Sequence, residues 1–349
     1  MSIQALAVAV ASVACSSGVE PGAVTALNAR ASLIDGSTVI PIDLSPNASG
    51  GGGRTISTGG LILGSSGSVR GWWQAPSAAF TTIDPGYVQG GNRNADAGAG
   101  QGKVLLSTNG GAPWSDVALA VPAGISAGAV IAHDVNDHRT IVGNTLGASV
   151  YAVRWDTVTS APIQLPLPTL QYPAYQVTAR SVNNSGTIVG YVLENVSKRA
   201  QRYEALVWIG TSVSILPAPS GNVSQLASNI NDAGVISGFT TVNGVTMPIR
   251  WTPSGGGYVV STVNFNPGGH NLDTGINSCG IIVGGSDNGA WAWDGVSPPV
   301  ILRSVAGAGF GADASDINDA GQVVGSSVVG SSKGSQVIHA TLWTGLPSC

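Results

Sequence analysis

The densest run of side chains that could do chemistry is His133-Asp134-Val135-Asn136-Asp137-His138. Two imidazoles and two carboxylates at that spacing form a plausible donor set for a metal. A second segment, Asp316-Ile317-Asn318-Asp319-Ala320-Gly321, half-resembles a calcium loop. Such loops place oxygen ligands at alternate positions ahead of a glycine and end on a bidentate glutamate. Here the third oxygen is out of phase, because Ala320 precedes the glycine, and no glutamate follows at the right distance. Asp134, Asn136 and Asp137 also recur as Asp316, Asn318 and Asp319, this time without histidines. Turn and strand-end roles explain both segments, so neither a metal nor another cofactor is expected.

Acid–base catalysis on a glycoside needs two carboxyl groups flanking one bond. The chain has three glutamates (Glu20, Glu194, Glu204), and Asp84, Asp156 and Asp294 follow apolar runs where turns favour Asp. No nucleophile elbow, Ser/His/Asp order or phosphate loop is present in the sequence. No catalytic residue is therefore expected. Aromatic rings give a different chemistry, stacking on sugars or on a protein partner. Trp72, Trp291, Tyr172 and Tyr175 are the candidates for ligand binding, with packing between sheets as the competing role. Neighbours on a strand face opposite ways. Trp72 should thus point away from Trp73, while Trp291 shares a face with Trp293.

The elements that carry these residues are strands. Of 349 residues only 9% are charged, 50 are glycine and 43% are hydrophobic. Low charge with abundant Gly, Ser, Thr, Asn and Val is an all-β composition. The net charge is −4 and no basic cluster occurs, which excludes the electrostatic footprint of nucleic-acid binding. No apolar run reaches the roughly 18 residues of a spanning helix.

One motif recurs. Val135–Gly143, Val182–Gly190, Ile230–Gly238, Ile276–Gly284 and Ile317–Gly325 share an apolar residue, an Asn (Asn136, Asn183, Asn231, Asn277, Asn318), a short polar turn and an apolar pair ending in Gly. Ile56–Gly64 is a further copy with Ser57 in the Asn place, and Gly98–Leu106 reads as a degraded one without Asn. The Asn and Gly suit a hairpin turn with left-handed φ. A tryptophan follows each copy (Trp73, Trp114, Trp155, Trp208, Trp251, Trp293 and Trp343), and another apolar strand comes after all but the last. Four short strands per period of about 40–50 residues is the signature of a propeller blade. Units start near 54, 95, 131, 178, 227, 272 and 313, within a single domain over 19–349.

The motif I-N-D-x-G-x-V-V-G followed by H-A-x-L-W resembles the HAF-type probable extracellular repeat family. Ile317–Gly325 with His339-Ala340-Thr341-Leu342-Trp343 is the fullest copy. The other units lack the His. This resemblance implies an extracytoplasmic repeat protein and brings no catalytic residues with it.

The last unit stops after its Trp strand, and residues 38–44 look like the missing fourth strand. The expected fold is an all-β propeller of four-stranded antiparallel blades. Seven blades closed by that N-terminal strand are expected. The alternative has eight, with Ile3–Val10 closing the ring. Residues 1–18 read either as a signal or lipoprotein-like segment leading to Cys15, or as a strand. Cys279 lies in a first turn and Cys349 follows the third strand of the next unit, so the two could meet across neighbouring blades. Cys15–Cys349 is the rival pairing, and three unpaired thiols the remaining one. The functional expectation is a non-catalytic, secreted or cell-surface scaffold that binds a glycan or protein through loops on one face. The alternatives are self-association as a subunit of an extracellular assembly or filament, and a carbohydrate-active propeller enzyme.

Overall fold

The computed structural model describes residues 39–349 apart from 48–49, 86–87, 108–112, 127, 148–149, 199, 220–222, 264, 266–273, 286–288 and 333–334. The segment 1–18, Cys15 and the sequence features behind an eighth blade lie outside the described residues.

Seven four-stranded antiparallel sheets follow one another along the chain. Six are simple meanders, spanning 51–85 (blade 1), 90–118 (blade 2), 130–164 (blade 3), 174–215 (blade 4), 223–262 (blade 5) and 274–302 (blade 6). Blade 7 combines Ala312–Ile317, Val323–Ser332 and Ser335–Thr344 with Ile40–Asp43 as its outer strand. Ile40 pairs with Thr344 and Asp43 with Thr341, so the two ends of the domain share one sheet. His339 Nδ1 lies 2.7 Å from an Asp43 carboxylate oxygen and adds a side-chain clasp to that joint. Blade 7 also bonds blade 1, because Asn318 donates to the Ser57 carbonyl. The ring therefore closes at seven, with the two ends of the domain paired in one blade. Among the described residues, no helix is long and apolar enough to cross a membrane.

Apolar packing lies between sheets, with one cluster at each of the seven blade interfaces. Strand two of a blade is apolar on both faces because both are covered, as with Ile141, Val142 and Gly143. The repeat tryptophans Trp73, Trp155, Trp208, Trp251, Trp293 and Trp343 are fully buried on third strands, opposite the apolar residue that opens the second strand. Burying an indole requires a partner for its N–H. Trp73, Trp155, Trp208, Trp251 and Trp343 donate to the carbonyls of Leu44, Ala120, Pro166, Pro217 and Arg303, just past the outer strand of the preceding blade. Each of these five indoles thus joins two blades by area and by a directed bond, while Trp293 contributes area alone.

Two expectations about blade 2 are corrected. Trp114 is not a repeat tryptophan, since it opens the outer strand Trp114–Ala118 and is half-buried. Leu106 stands in the tryptophan place, opposite Ala97. The turn asparagine of this blade is Asn92, whose Oδ1 accepts from the Asp96 and Ala97 amides. Gly98–Leu106 is therefore strand two running into strand three and does not contain the turn. Small residues at 97–100 fill the places of Ile-Val-Gly and hide the register.

The turn glycine takes the expected left-handed φ in four of the five asparagine copies, and the asparagine bonds nearby backbone as expected, with ordinary φ of its own. Asn136, Asn183, Asn231, Asn277 and Asn318 do not have left-handed φ. The residue three places later does, as with Gly186 at +80° and Arg139 at +66°. Each Asn acts through its side chain. Its Oδ1 accepts the amide four residues on, and its Nδ2 donates to a carbonyl in the next blade. The donors Asn136, Asn183, Asn231, Asn277 and Asn318 reach the carbonyls of Asn183, Asn231, Asn277, Asn318 and Ser57. The turn motif is also the belt that joins the blades around the axis.

Candidate ligand site in the central channel

The innermost strands of the blades surround a channel with an open volume of about 130 Å³. Its lining follows from one backbone irregularity. In blades 1, 3, 4, 5 and 7 the first strand carries a bulge two to three residues before the belt position. A bulge places an extra residue opposite one partner and re-aims its side chain. The bulged residues are Arg54, His133, Arg180, Ser228 and Ser315, and all five line the channel. The repeat-final glycine faces the same bulge. A Cβ on Gly143, Gly190, Gly238 or Gly325 would sit about 2 Å from a first-strand carbonyl oxygen, so close approach explains these glycines.

The next layer inward is Thr55, Asp134, Ser181, Asn229 and Asp316, one residue further along each strand. Asp134 accepts from its own neighbour's amide, Val135 N, at 2.8 Å. It also accepts from Ser181 Oγ at 2.8 Å and Val182 N at 3.0 Å in the next blade. Asp316 repeats this arrangement with Ile317 N, Thr55 Oγ1 and Ile56 N across the ring closure. Both carboxylates are staples between blades. Burial away from bulk water pushes Asp134 up to about 7, against its hydrogen bonds, with the nearby Asp316 charge adding to the rise. Burial likewise raises Asp316 to about 6, opposed by its amide and Thr55 bonds and by Arg93.

At the turn end ion pairs span the channel. Arg93 of blade 2 reaches across to Asp232 of blade 5 (3.4 Å) and Asp319 of blade 7 (3.6 Å). Asn184 donates to both Asp137 and Asp232 beside it. Backbone amides complete this rim, with Asp137 N, Asn184 N and Ser278 N donating to Asn184, Asp232 and Asp319 side chains. The segment that half-resembles a calcium loop thus divides its acids, Asp316 into the channel wall and Asp319 into the rim.

The histidines of the 133–138 cluster separate. His133 Nε2 lies 2.6 Å from Asn144 Oδ1 and Nδ1 lies 3.5 Å from Arg180 Nη1. The ring thus bridges the Asn144 side-chain amide and the Arg180 guanidinium. His138 lies in the exposed turn. No group of three or more His, Cys, Asp or Glu suited to a metal occurs among the described residues.

The four aromatic candidates do not form one site. Trp291 is fully buried, donates to the Gly285 carbonyl and packs edge-on to Phe239 and Phe265. A stacking role for it is therefore corrected to core packing, because its strand face turns inward beside Trp293. Trp72 is half-buried with Trp114 in the seam between blades 1 and 2, on the side away from Trp73. Tyr172 is half-buried under the Arg202 guanidinium, 5.4 Å from its ring centre. Arg202 in turn pairs with Glu194 and Glu204 at 2.8 Å each. Tyr175 alone of the four is exposed, at 58%, on the face where the first strands begin. The bulge residues were missed in the sequence. Their signal was the position three residues before the belt residue, which holds Arg54, His133, Arg180, Ser228 and Ser315 ahead of Ser57, Asn136, Asn183, Asn231 and Asn318.

Cys279 and Cys349 form a disulfide between blade 6 and the C-terminus, the first of the pairings the sequence allowed.

No family model matches the chain, that of the HAF-type repeats included. No curated protein matches it either. Among solved structures, YCF48 from Cyanidioschyzon merolae is 12% identical, with a TM-score of 0.50 over 88% of this chain and 98% of that one. The extracellular domain of BT4673 from B. thetaiotaomicron, described as a one-component system, is 10% identical. Its TM-score is 0.51 over 88% of this chain and 40% of that one. A gluconolactonase from Xanthomonas campestris is 12% identical, with a TM-score of 0.45 over 92% and 93%. At these identities the likeness shows the β-propeller fold and nothing finer.

Proposed function

We propose that the protein is a non-catalytic scaffold, working outside the cytoplasm, that binds its ligand on the face where the first strands begin. The observation that carries this reading is the asymmetry of the channel. Arg93 and its acidic partners span the turn end with ion pairs, while five bulged residues bring polar side chains to the channel lining away from that rim. Tyr175 stands exposed five residues before Arg180 on the same strand, so an aromatic surface adjoins that mouth. Both channel carboxylates are held by amide and hydroxyl donors of the adjoining blade. These bonds suit a joint better than a mobile proton carrier. The Cys279–Cys349 bridge supports an oxidising compartment. A glycan or protein ligand fits this reading, as does a place in an extracellular assembly built from HAF-like repeats.

A carbohydrate-active enzyme is the second reading. Its support is that Asp134 and Asp316 line one channel with raised values of about 7 and 6, in the range useful to a general acid. Arrays of glycans and peptides, read for both retention and turnover, separate the two. Scaffold function predicts retention without turnover, preserved in Asp134→Asn. Turnover lost in Asp134→Asn would establish the enzyme and overturn the scaffold.

A further inference from the structure

The end of the channel away from the turn rim has a definite chemistry. The five bulge positions carry two guanidiniums, one imidazole and two hydroxyls, from blades 1, 4, 3, 5 and 7. The chain has only 14 Lys and Arg. Two of them occupy this one structurally repeated position, three blades apart and so on opposite walls. The imidazole lies between Asn144 and Arg180, with Nδ1 3.5 Å from that guanidinium, and orients it. Guanidinium groups match carboxylates with paired, charge-assisted bonds. Ser228, Ser315, Gln89 and Thr274 stand in the same lining and suit hydroxyl partners. The carboxylates deeper in the channel do not set the sign at the mouth, since each is wrapped by three donors of the wall.

We infer that the channel mouth binds the carboxylate end of an acidic sugar, with Arg54 and Arg180 clamping the carboxylate and the bulge serines meeting adjacent hydroxyls. This deepens the scaffold reading and rests on it. A volume of about 130 Å³ admits one such end group and excludes a folded partner.

Isothermal titration of the full chain tests the inference. The probes are galacturonate oligomers, the matching neutral galactose oligomers, inorganic phosphate, and a peptide with either a free or an amidated C-terminus. The expected result is binding of the galacturonates, at least tenfold weaker for the neutral oligomers, and weakening as salt rises. Arg54→Gln and Arg180→Gln should each lose about 10- to 100-fold, the scale of one charge-assisted pair. Asp156→Ala, outside the channel lining, should leave binding unchanged. Arg54 is exposed, so its variant should keep the wild-type melting curve and separates binding from folding. Equal affinity for neutral and acidic oligomers would overturn the inference and leave the scaffold reading intact. Preference for phosphate or for the free peptide C-terminus would likewise overturn it. Galacturonate turnover with binding still lost in the arginine variants would overturn the scaffold reading and uphold the clamp, and turnover with binding unchanged in them would overturn both.

Discussion

The Asn136 side-chain amide donates to the Asn183 backbone carbonyl, 2.9 Å away and 47 residues along the chain. The same residue closes its own turn through Oδ1, which accepts from His138 N and Thr140 N. One side chain thus fixes a local turn and a long-range neighbour together. That double duty is repeated around the ring.

Removing a belt residue should therefore cost more than a turn alone. Asn183→Ala loses the acceptor for Thr187 N and Ser185 Oγ and the donor to Asn231 O. The expected destabilisation is about 2 kcal/mol, chiefly because the Asn231 carbonyl left behind is buried. Asn183→Asp keeps the acceptor and should fall between. Urea unfolding measures both, and a loss below about 1 kcal/mol for the alanine variant would show that the belt does not hold the blades.

The indoles separate area from direction. Trp208→Ala should cost about 3–5 kcal/mol. Trp208→Phe keeps most of the area but abandons the Pro166 carbonyl, for about 1–3 kcal/mol. Trp114→Ala, on an outer strand, should cost clearly less than Trp208→Ala. Equal melting-temperature losses for the two alanine variants would contradict the placement of Leu106 in the repeat position.

Stability should fall as pH rises from about 4 to 7. Asp134 and Asp316 ionise near 3.8 when exposed, but near 7 and 6 in the folded channel. Within that window the folded protein holds protons that the unfolded chain has released, so raising the pH favours unfolding. The stabilisation is complete below 3.8 and lost through the folded values. The drop between pH 4.5 and 8 should be larger for wild type than for Asp134→Asn/Asp316→Asn, in which the titration is gone. Parallel profiles for the two would show that other groups govern the response.

Gly190→Ala places a Cβ 2.0 Å from the Thr178 carbonyl oxygen, on backbone that the bulge has already committed. It should abolish folding or cost more than about 3 kcal/mol. Gly210→Ala meets no atom and only a φ of +60°, so about 1 kcal/mol is expected. Circular dichroism melts of the pair check the order.

The Cys279–Cys349 bridge spans 70 residues. Closing a loop of that length restricts the unfolded chain by up to about 4 kcal/mol. Reduction should lower wild-type stability by the same amount as Cys349→Ser, and reduction of that variant should do nothing further. An unequal loss would place part of the effect in the thiols themselves.

Much of the fold was legible because each blade repeats its own local chemistry. Period, turn residues, apolar runs and the orphan strand near Ile42 all come from short-range rules, and they locate seven sheets and the closing pair. Blade 2 failed where those rules thin out. Ala97, Gly98 and Ala99 carry no apolar pattern, and Trp114 fell by accident near the expected spacing. The exposure of Tyr175 against the burial of Trp291 depends on which strand face meets a neighbouring blade, and sequence spacing does not state this.

The linear order of residues determined the wedge: its strands, its asparagine turn and its indole, each set by neighbours within about 25 positions. Only the closed ring decided what those wedges enclose. Arg54 and Arg180 are 126 positions apart, and Asp134 meets Asp316 only through the shared channel. Such meetings need bulges at matching heights and an axis common to all seven sheets. Burial then sets the charge of the carboxylates, because the cost of ionising them depends on the surrounding volume and not on the residues beside them in the chain.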